Sequence, residues 1–537
     1  MTSQADLKQL DSDQLRAVAA QLLQQIEHKD QELGRKEQEL GDKNQALDRQ
    51  AQQIVQQSKE IRHKTALNDK LTYELALLKR HRFGRRSEGV NPEQTSLLDD
   101  IVDADIAAID EELAEVVPDS PREKQQARRQ PLPPELPRTV IAHEPDNTQC
   151  ACGCQLKRIG EDISEKLDYT PGEFTVERHV RGKWACAGCE TLIQAPVPAQ
   201  VIDKGIPTSG LLAHVLVAKY ADHLPLYRQE SIFARAGYAI PRSTLADWVG
   251  RSGVALQPLV DALRDELLKH AVLHADETPV PMLAPGKRKT HQAYIWAFAS
   301  THQSALQAVI YEFAPSRAGK HARAFLEGWQ GKLVCDDFAG YKAGFEQGMT
   351  EIGCWAHARR KFYELHIAKK STVAEKALAY IGQLYDIERA AKDLSASDRQ
   401  QLRQTRAEPI IDALYHWLVE QRQKVPKGSA TSKAIHYSLK RWSALTRYLE
   451  DGDVPIDNNW VENQVRPWAL GRKNWLFAGS LRSGHRAAAV MSLIQSAKIN
   501  GHDPYAYLKD VLQRLPTQKA SAIGELLPHN WVSASKV

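Results

Sequence analysis

Three carboxylates could do chemistry together, two closing apolar segments and one on a helix. Asp276 closes Ala271-Val-Leu-His-Ala-Asp276, and Asp336 closes Lys332-Leu-Val-Cys-Asp336. Glu462 lies within Ile456-Asp-Asn-Asn-Trp-Val-Glu-Asn-Gln-Val-Arg-Pro467, where Asp457 or Asn458 can cap a helix and Pro467 can close it. Asn458, Glu462 and Arg466 are spaced i, i+4, i+8 and share one helical face. An apolar strand that ends on an acid presents its carboxylate at the lip of a sheet. Three such groups brought together can hold two Mg²⁺ ions about 3.5–4 Å apart, the arrangement that activates one oxygen and stabilises another in phosphodiester transfer. Each acid also has an ordinary reading, a turn or cap residue for the aspartates and a solvated helix face for the glutamate. Glu277, Asp337 and Asp457 lie beside the three and compete for the same roles.

A second group with metal-binding chemistry is Cys150, Cys152, Cys154, Cys186 and Cys189. Two thiol clusters about 30 residues apart, in a segment too small for its own core, predict a closed tetrahedral Zn²⁺ held by Cys186, Cys189 and two of the other three. A third signal is charge. From Asn463 to His502 there is no acid, while Arg466, Arg472, Lys473, Arg482 and Arg486 are interleaved with Trp468, Trp475 and Phe477. Arg359 and Arg360 form a second basic run near Asp336, and Arg82, Arg85 and Arg86 a third, in Leu78-Lys-Arg-His-Arg-Phe-Gly-Arg-Arg-Ser-Glu88. Basic stripes with aromatics suit a phosphate track and double-stranded DNA; solvated faces are the competing reading.

The elements that must position these groups follow from periodicity. Ile26, Leu33, Leu40, Leu47, Ile54 and Ile61 recur every seven residues, one full heptad seam, while the other seam reads Lys29, Lys36, Lys43, Gln50 and Gln57. Residues 1–90 are therefore expected to form a coiled-coil helix with a basic end, making the chain a homo-oligomer. Residues 91–140 read as a disordered, Pro-rich linker, 141–203 as a zinc-binding domain, and 204–270 as a helical, helix-turn-helix-like DNA-binding region, with Ser243 or Thr244 capping its second helix. From 271 the period changes to two. Strands at 271–276, 294–299 and 308–311 form a meander, a helix at 321–329 crosses to a strand at 332–336, and 350–353 is a fifth. That order is the ribonuclease H plan, expected over 271–485 with a helical insertion at about 365–450, followed by a helical segment at 486–537. The fold class expected is multidomain and mainly α, with an α/β RNase H-like catalytic domain, an N-terminal coiled coil and a small zinc-binding domain.

With 71 Lys and Arg against 67 Asp and Glu, the net charge of +4 gives no global signal of nucleic-acid binding, so distribution carries it. There is no apolar signal-peptide core and no run of about 18 apolar residues, so a cytoplasmic protein without membrane contact is expected.

Taken together, these residues resemble the insertion sequence 66 family of DDE transposases over nearly the whole chain. The motifs are His274-Ala-Asp-Glu-Thr-Pro279, Asp336-Asp-Phe-Ala-Gly-Tyr341, Gly353-Cys-Trp-Ala-His-Ala-Arg-Arg-Lys-Phe362, Asp457-Asn-Asn-Trp-Val-Glu462, Gly471-Arg-Lys-Asn-Trp-Leu-Phe-Ala-Gly-Ser480 and Asn500-Gly-His-Asp-Pro-Tyr-Ala-Tyr-Leu508, with Arg82-Phe-Gly-Arg-Arg-Ser-Glu88 behind the heptads. The resemblance implies transposition of a mobile element through Mg²⁺- or Mn²⁺-dependent strand cleavage and strand transfer at its ends. It implies Asp276, Asp336 and Glu462 as the DDE triad, a helical insertion before the Glu, and accessory proteins of the same element as partners. The family's zinc finger opens on Cys-x-x-Cys-Gly; here Gln149 stands at the first position, so that Cys150 substitutes for it and Cys154 is a further candidate. Two alternatives stay open: a DNA-binding regulator with a relic catalytic domain, and a metal-dependent nuclease without strand transfer.

Overall fold

The computed structural model describes residues 47–72, single positions from 29 to 45 and Ile109, and residues 131–533 apart from 284–289, 370, 476 and 477. Arg82, Arg85, Arg86, Phe477 and nearly all of the expected linker lie outside the described residues. The chain divides into two compact units. The first contributes helix α1, 47–72, which lacks Gly and Pro. On it the heptad positions Leu47, Ile54 and Ile61 are all more than half exposed.

The second unit starts with a four-stranded sheet. β1 (Arg138–His143) runs parallel to β3 (Glu173–Cys186), and β3 pairs antiparallel with β2 (Leu156–Thr170) and β4 (Leu192–Gln194). β2 and β3 make one long hairpin closed by Pro171-Gly172. Gly172 has φ 96°, which a side chain resists and the two-residue turn requires. The cysteines sit at its open end. The turn end delivers Leu167, Tyr169, Phe174 and Val176 into the main core, where the Tyr169 and Phe174 rings lie 5.0 and 5.4 Å from Phe233. The hairpin thus gains stability by sharing a neighbour's core as well as from its thiol end.

Helices α2 (Ser209–Tyr220), α3 (Leu226–Arg235) and α4 (Arg242–Leu267) follow. Thr208 Oγ1 caps α2 by accepting from Leu211 N at 3.1 Å. The turn between α3 and α4 carries Gly237 at φ 96°. Neither Ser243 nor Thr244 caps α4; Pro241 stands at its N-cap and Arg242 N donates to Glu230 Oε1 instead. α4 is 26 residues long, and its second half, from Leu256 to Leu267, packs into the core of the larger sheet.

That sheet has the order β7-β6-β5-β8-β9. β5 (Val272–Leu283), β6 (Thr290–Ser300) and β7 (Val309–Ala314) are antiparallel. After α5 (Lys320–Phe325), β8 (Lys332–Val334) and β9 (Thr350–Ile352) join parallel to β5, with α6 (Lys342–Glu346) between them. A helical layer then runs through α7 (Trp355–Lys369), α8 (Thr372–Ala390), α9 (Ala396–Leu402), α10 (Glu408–Lys424), α11 (Ala430–Lys440) and α12 (Trp442–Thr446). It has its own apolar cluster, which reaches the sheet through Val272, Val334 and Ile352.

The chain returns in α13 (Asn459–Trp475), α14 (Leu481–Ile499) and α15 (Pro504–Arg514). α14 covers the free edge of β7. Its fully buried Ser496 Oγ accepts from Val309 N at 3.0 Å, and Ser492 Oγ accepts from Tyr311 N at 2.9 Å. An unpaired buried N–H costs about 1–3 kcal/mol, so these serines remove the penalty of a buried sheet edge. Pro467 lies inside α13 rather than at its end, and β5 continues seven residues past Asp276. Among the described residues no helix is long and apolar enough to cross a membrane.

Candidate active site and zinc-binding cluster

The site begins with a buried amide. Asn458, fully buried before α13, accepts at Oδ1 from His274 Nδ1 at 2.8 Å and donates from Nδ2 to Ala275 O at 2.8 Å. Burial pushes His274 down to about 4, so its ring is neutral and free to donate from Nδ1. The start of α13 is thereby fastened to β5 beside Asp276. Glu462 follows one turn later, its N–H donating to Asn458 O. β8 lies parallel to β5 with Val334 opposite His274, and continuing that register two residues brings Asp336 level with Asp276. Asp336 Oδ1 accepts from Phe338 N at 2.9 Å, which orients the carboxylate.

Asp276 feels both of the other acids. Asp276 is pushed up to about 8, first by burial, then by the charges of Glu277 and Glu462, with Asp336 adding to them. Oε1 of Glu462 is buried without a hydrogen-bond partner, while His357 Nδ1 and Arg360 Nη2 each lie 3.7 Å from one of its oxygens. Carboxylates crowded in this way, with a polar atom left unpaired, suit hard divalent cations.

The flanking acids are occupied elsewhere. Glu277 accepts from Arg317 Nε at 2.8 Å and Tyr341 Oη at 2.9 Å. Asp337 pairs with Arg441 at 3.0 Å, and Arg441, buried, also meets Glu351 at 2.9 Å. Asp457 accepts from Tyr385 Oη at 2.8 Å and Asn459 N at 3.0 Å. Each is a structural acid.

Beside the start of α13 opens a cleft of about 600 Å³ between α7 and α8, lined by Arg359, Arg360, Tyr363, Tyr385, Arg389 and Asn459. Arg359 lies over the Tyr363 ring at 5.4 Å. Arg389 and the tyrosines escaped the sequence reading because they lie in amphipathic helices without motif character. The basic residues of 463–502 are placed unevenly. Arg466 and Lys473 are exposed, and Arg482 is half-buried. Arg472 Nη1 donates to Pro279 O at 2.8 Å, a tie between α13 and β5. Arg486 is 7% exposed and its stem packs on Gly253 of α4, so it is the member least placed to reach a phosphate.

At the open end of the hairpin, Cys150, Cys152, Cys186 and Cys189 converge. Their Sγ atoms lie 3.2 Å (Cys150–Cys189), 3.6 Å (Cys152–Cys186) and 3.7 Å (Cys152–Cys189) apart. Four thiolates about 2.3 Å from a tetrahedral Zn²⁺ would stand roughly 3.8 Å apart, so the donors fit that ion. Hydrogen bonds from the Thr191 hydroxyl and then the Cys150 thiol hold Cys189 down to about 6, and the N–H groups of Gly188 and Cys189 lower Cys186. Cys154 is exposed and stands outside the four.

The chain matches the family model described as Transposase IS66 family over residues 204–486 and the IS66 C-terminal element over 492–529. Residues 147–190 match the zinc-finger binding domain of transposase IS66, and 70–141 match Transposase C of IS166 homeodomain. Among curated relatives, the uncharacterized protein y4jD of Sinorhizobium fredii is 38% identical, covering 86% of this chain and 94% of its own length. The uncharacterized protein y4qI of the same organism is 37% identical over 86% of this chain and 88% of its own.

Two outcomes follow from this geometry. The purified chain should carry one Zn²⁺ that survives Cys154→Ser and is lost with Cys150→Ser; elemental analysis decides, and the opposite pattern overturns the assignment. The metal-free protein should also show the imprint of Asp276. Its folded pKa of about 8 exceeds the unfolded 3.8, so the stability it contributes is full below pH 4 and is lost as pH rises through 8. Between those limits the slope is at most about 1.4 kcal/mol per pH unit. Asp276→Asn should flatten it in denaturant titrations run in chelator, and an unchanged slope would show that the carboxylate is not crowded.

Proposed function

The chain belongs to the IS66 family of transposases, and on that footing we propose that it cuts DNA at the ends of an insertion sequence and joins the freed ends to a target. The observation that carries the proposal is the convergence of Asp276, Asp336 and Glu462 from β5, β8 and α13 while Glu277, Asp337 and Asp457 are each tied to a structural partner. The sheet order, with three antiparallel strands followed by two parallel ones, supports reading the catalytic domain as RNase H-like.

In this reading Asp276, Asp336 and Glu462 hold two Mg²⁺ or Mn²⁺ ions. The ions supply an activated attacking oxygen and charge stabilisation for the leaving one. The chain's own part is positioning. Asp336 is fixed by Phe338 N, Glu462 by the buried Asn458, and no side chain forms a bond to DNA. Arg359 and Arg360 in the neighbouring cleft neutralise backbone phosphates, while Arg389 is paired with Asp386, and Tyr363 and Tyr385 offer rings for unpaired bases. Arg466, Lys473 and Arg482 extend that track along α13 and α14.

The exposed apolar seam of α1 is read as the contact that pairs two copies, so that two element ends are held together. Sedimentation of the full chain with and without end DNA should show at least a dimer in one condition; a monomer in both excludes the pairing.

Asp336→Asn and Glu462→Gln keep side-chain size and remove the charge that holds a cation. Each should lower both cleavage and joining of labelled element ends by roughly a thousandfold, since a metal ion is worth several kcal/mol in the transition state. Zinc content and end-DNA binding should be unchanged. Asp337→Asn should instead lower thermal stability while the chemistry persists. Normal cleavage by the Asp336→Asn protein would remove the basis of the proposal, and cleavage without joining by the unaltered chain would leave a nuclease.

A further inference from the structure

One histidine beside the acids has no assigned role. His357, in the first turn of α7, places Nδ1 3.7 Å from Oε1 of Glu462. That separation is too long for a hydrogen bond, which needs about 2.7–3.2 Å. Both atoms are nonetheless shielded from solvent and without a hydrogen-bond partner. Buried polar atoms left unpaired are costly to folding, and these two lie opposite each other. Arg360 does not resolve this, because its guanidinium approaches the other oxygen, Oε2. Cys354 Sγ lies within 4.8 Å of both atoms. It is fully buried and accepts from Asn458 N at 3.2 Å, so it serves the fastening of α13. A single cation between His357 Nδ1 and Glu462 Oε1 would satisfy both orphaned atoms.

We propose that the divalent ion held by Glu462 takes Nδ1 of His357 as a nitrogen ligand, so that one of the two cation positions is a mixed carboxylate–imidazole site. The inference rests on the reading of Asp276, Asp336 and Glu462 as cation ligands. It has a chemical consequence. Mg²⁺ favours all-oxygen surroundings, whereas an imidazole suits Mn²⁺ and later transition ions. The chain should therefore bind Mn²⁺ more tightly than Mg²⁺ by a margin that depends on His357.

Pulsed electron paramagnetic resonance on the full-length, zinc-loaded chain titrated with Mn²⁺ tests this directly. The expected result is ¹⁴N modulation from a directly bound imidazole in the unaltered protein, absent in His357→Gln, whose Mn²⁺ affinity falls about tenfold while its Mg²⁺ affinity changes little. Asp336→Asn should reduce the bound Mn²⁺ itself. Mn²⁺ that binds in an Asp336-dependent way with no nitrogen coupling overturns the ligand assignment and leaves the triad reading intact. Nitrogen coupling that persists in His357→Gln overturns it too, and points to another histidine. Mn²⁺ binding indifferent to both Asp336→Asn and Glu462→Gln overturns the triad reading and this inference with it. The spectrum of the unaltered protein decides even if His357→Gln fails to fold.

Discussion

A single buried amide, Asn458, joins two parts of the chain that lie 184 residues apart in sequence. The Asn458 side chain offers an accepting carbonyl and a donating amino group. The neutral His274 ring and the Ala275 carbonyl on β5 take both. In a fully buried setting that match is enforced by the desolvation cost of an unmet partner, about 1–3 kcal/mol per group. In the first turn of α13 Trp460 Nε1 donates to Ser300 O of β6 at 2.8 Å, and further along Arg472 reaches Pro279 O, so the helix meets the sheet through directional bonds as well as through the apolar packing of Val461, Val465 and Trp468. With the Asn458 bonds, Glu462 is set one turn above Asp276.

The helical layer between β9 and α13 has a related task. Its buried arginines reach back to the backbone and to the acids around the site. Arg441 holds Asp337 and Glu351, which follow β8 and lie in β9, and so steadies the loop that carries Asp336. Arg403 donates to the carbonyls of Tyr448, Asp451 and Val454 and pairs with Glu388, closing the layer just before Asp457. Tyr385 of α8 fixes Asp457 itself. Two of the three converging acids are therefore oriented from the insertion. In the proposed reading, the long helical segment between Asp336 and Glu462 acts as a clamp on both.

Asp276 and Asp336 stood out because each closes an apolar run, and Glu462 because it lies on a capped helix that shares a face with Arg466; the meander plus crossover was legible from spacing. The limits are as physical. Asp276 read as a strand end because the apolar run stops there, yet β5 continues through Pro279 and Pro281, although proline cannot donate within a central strand. β8 pairs only with Val272–His274, so beyond that point one edge of β5 is free of a strand partner, and the prolines leave no ladder bond unmade there. Arg472 and Arg486 read as phosphate contacts because they lie in an acid-free run of cations interleaved with aromatics. A carbonyl at Pro279 and a gap at Gly253 claimed them instead, and no local pattern announces either. His357 was hidden within a basic run, although it lies three residues after Cys354, just before α7, and three before Arg360, on the same face of that helix.

Electrostatics ties these observations together. Burying Asp276 next to Glu277, Glu462 and Asp336 raises its pKa far above that of a free carboxylate, a cost in folding that a stable scaffold must absorb. The surrounding acids each carry a fixed donor or cation, whereas the converging ones do not share an arginine as close as the 3.0 Å that Arg441 gives Asp337. An arginine placed that closely between Asp276 and Glu462 would relieve the repulsion permanently and close the site to exchangeable cations. Arg360 stands 3.7 Å from Oε2 of Glu462. On the proposed function, the repulsion is left for an exchangeable cation to relieve.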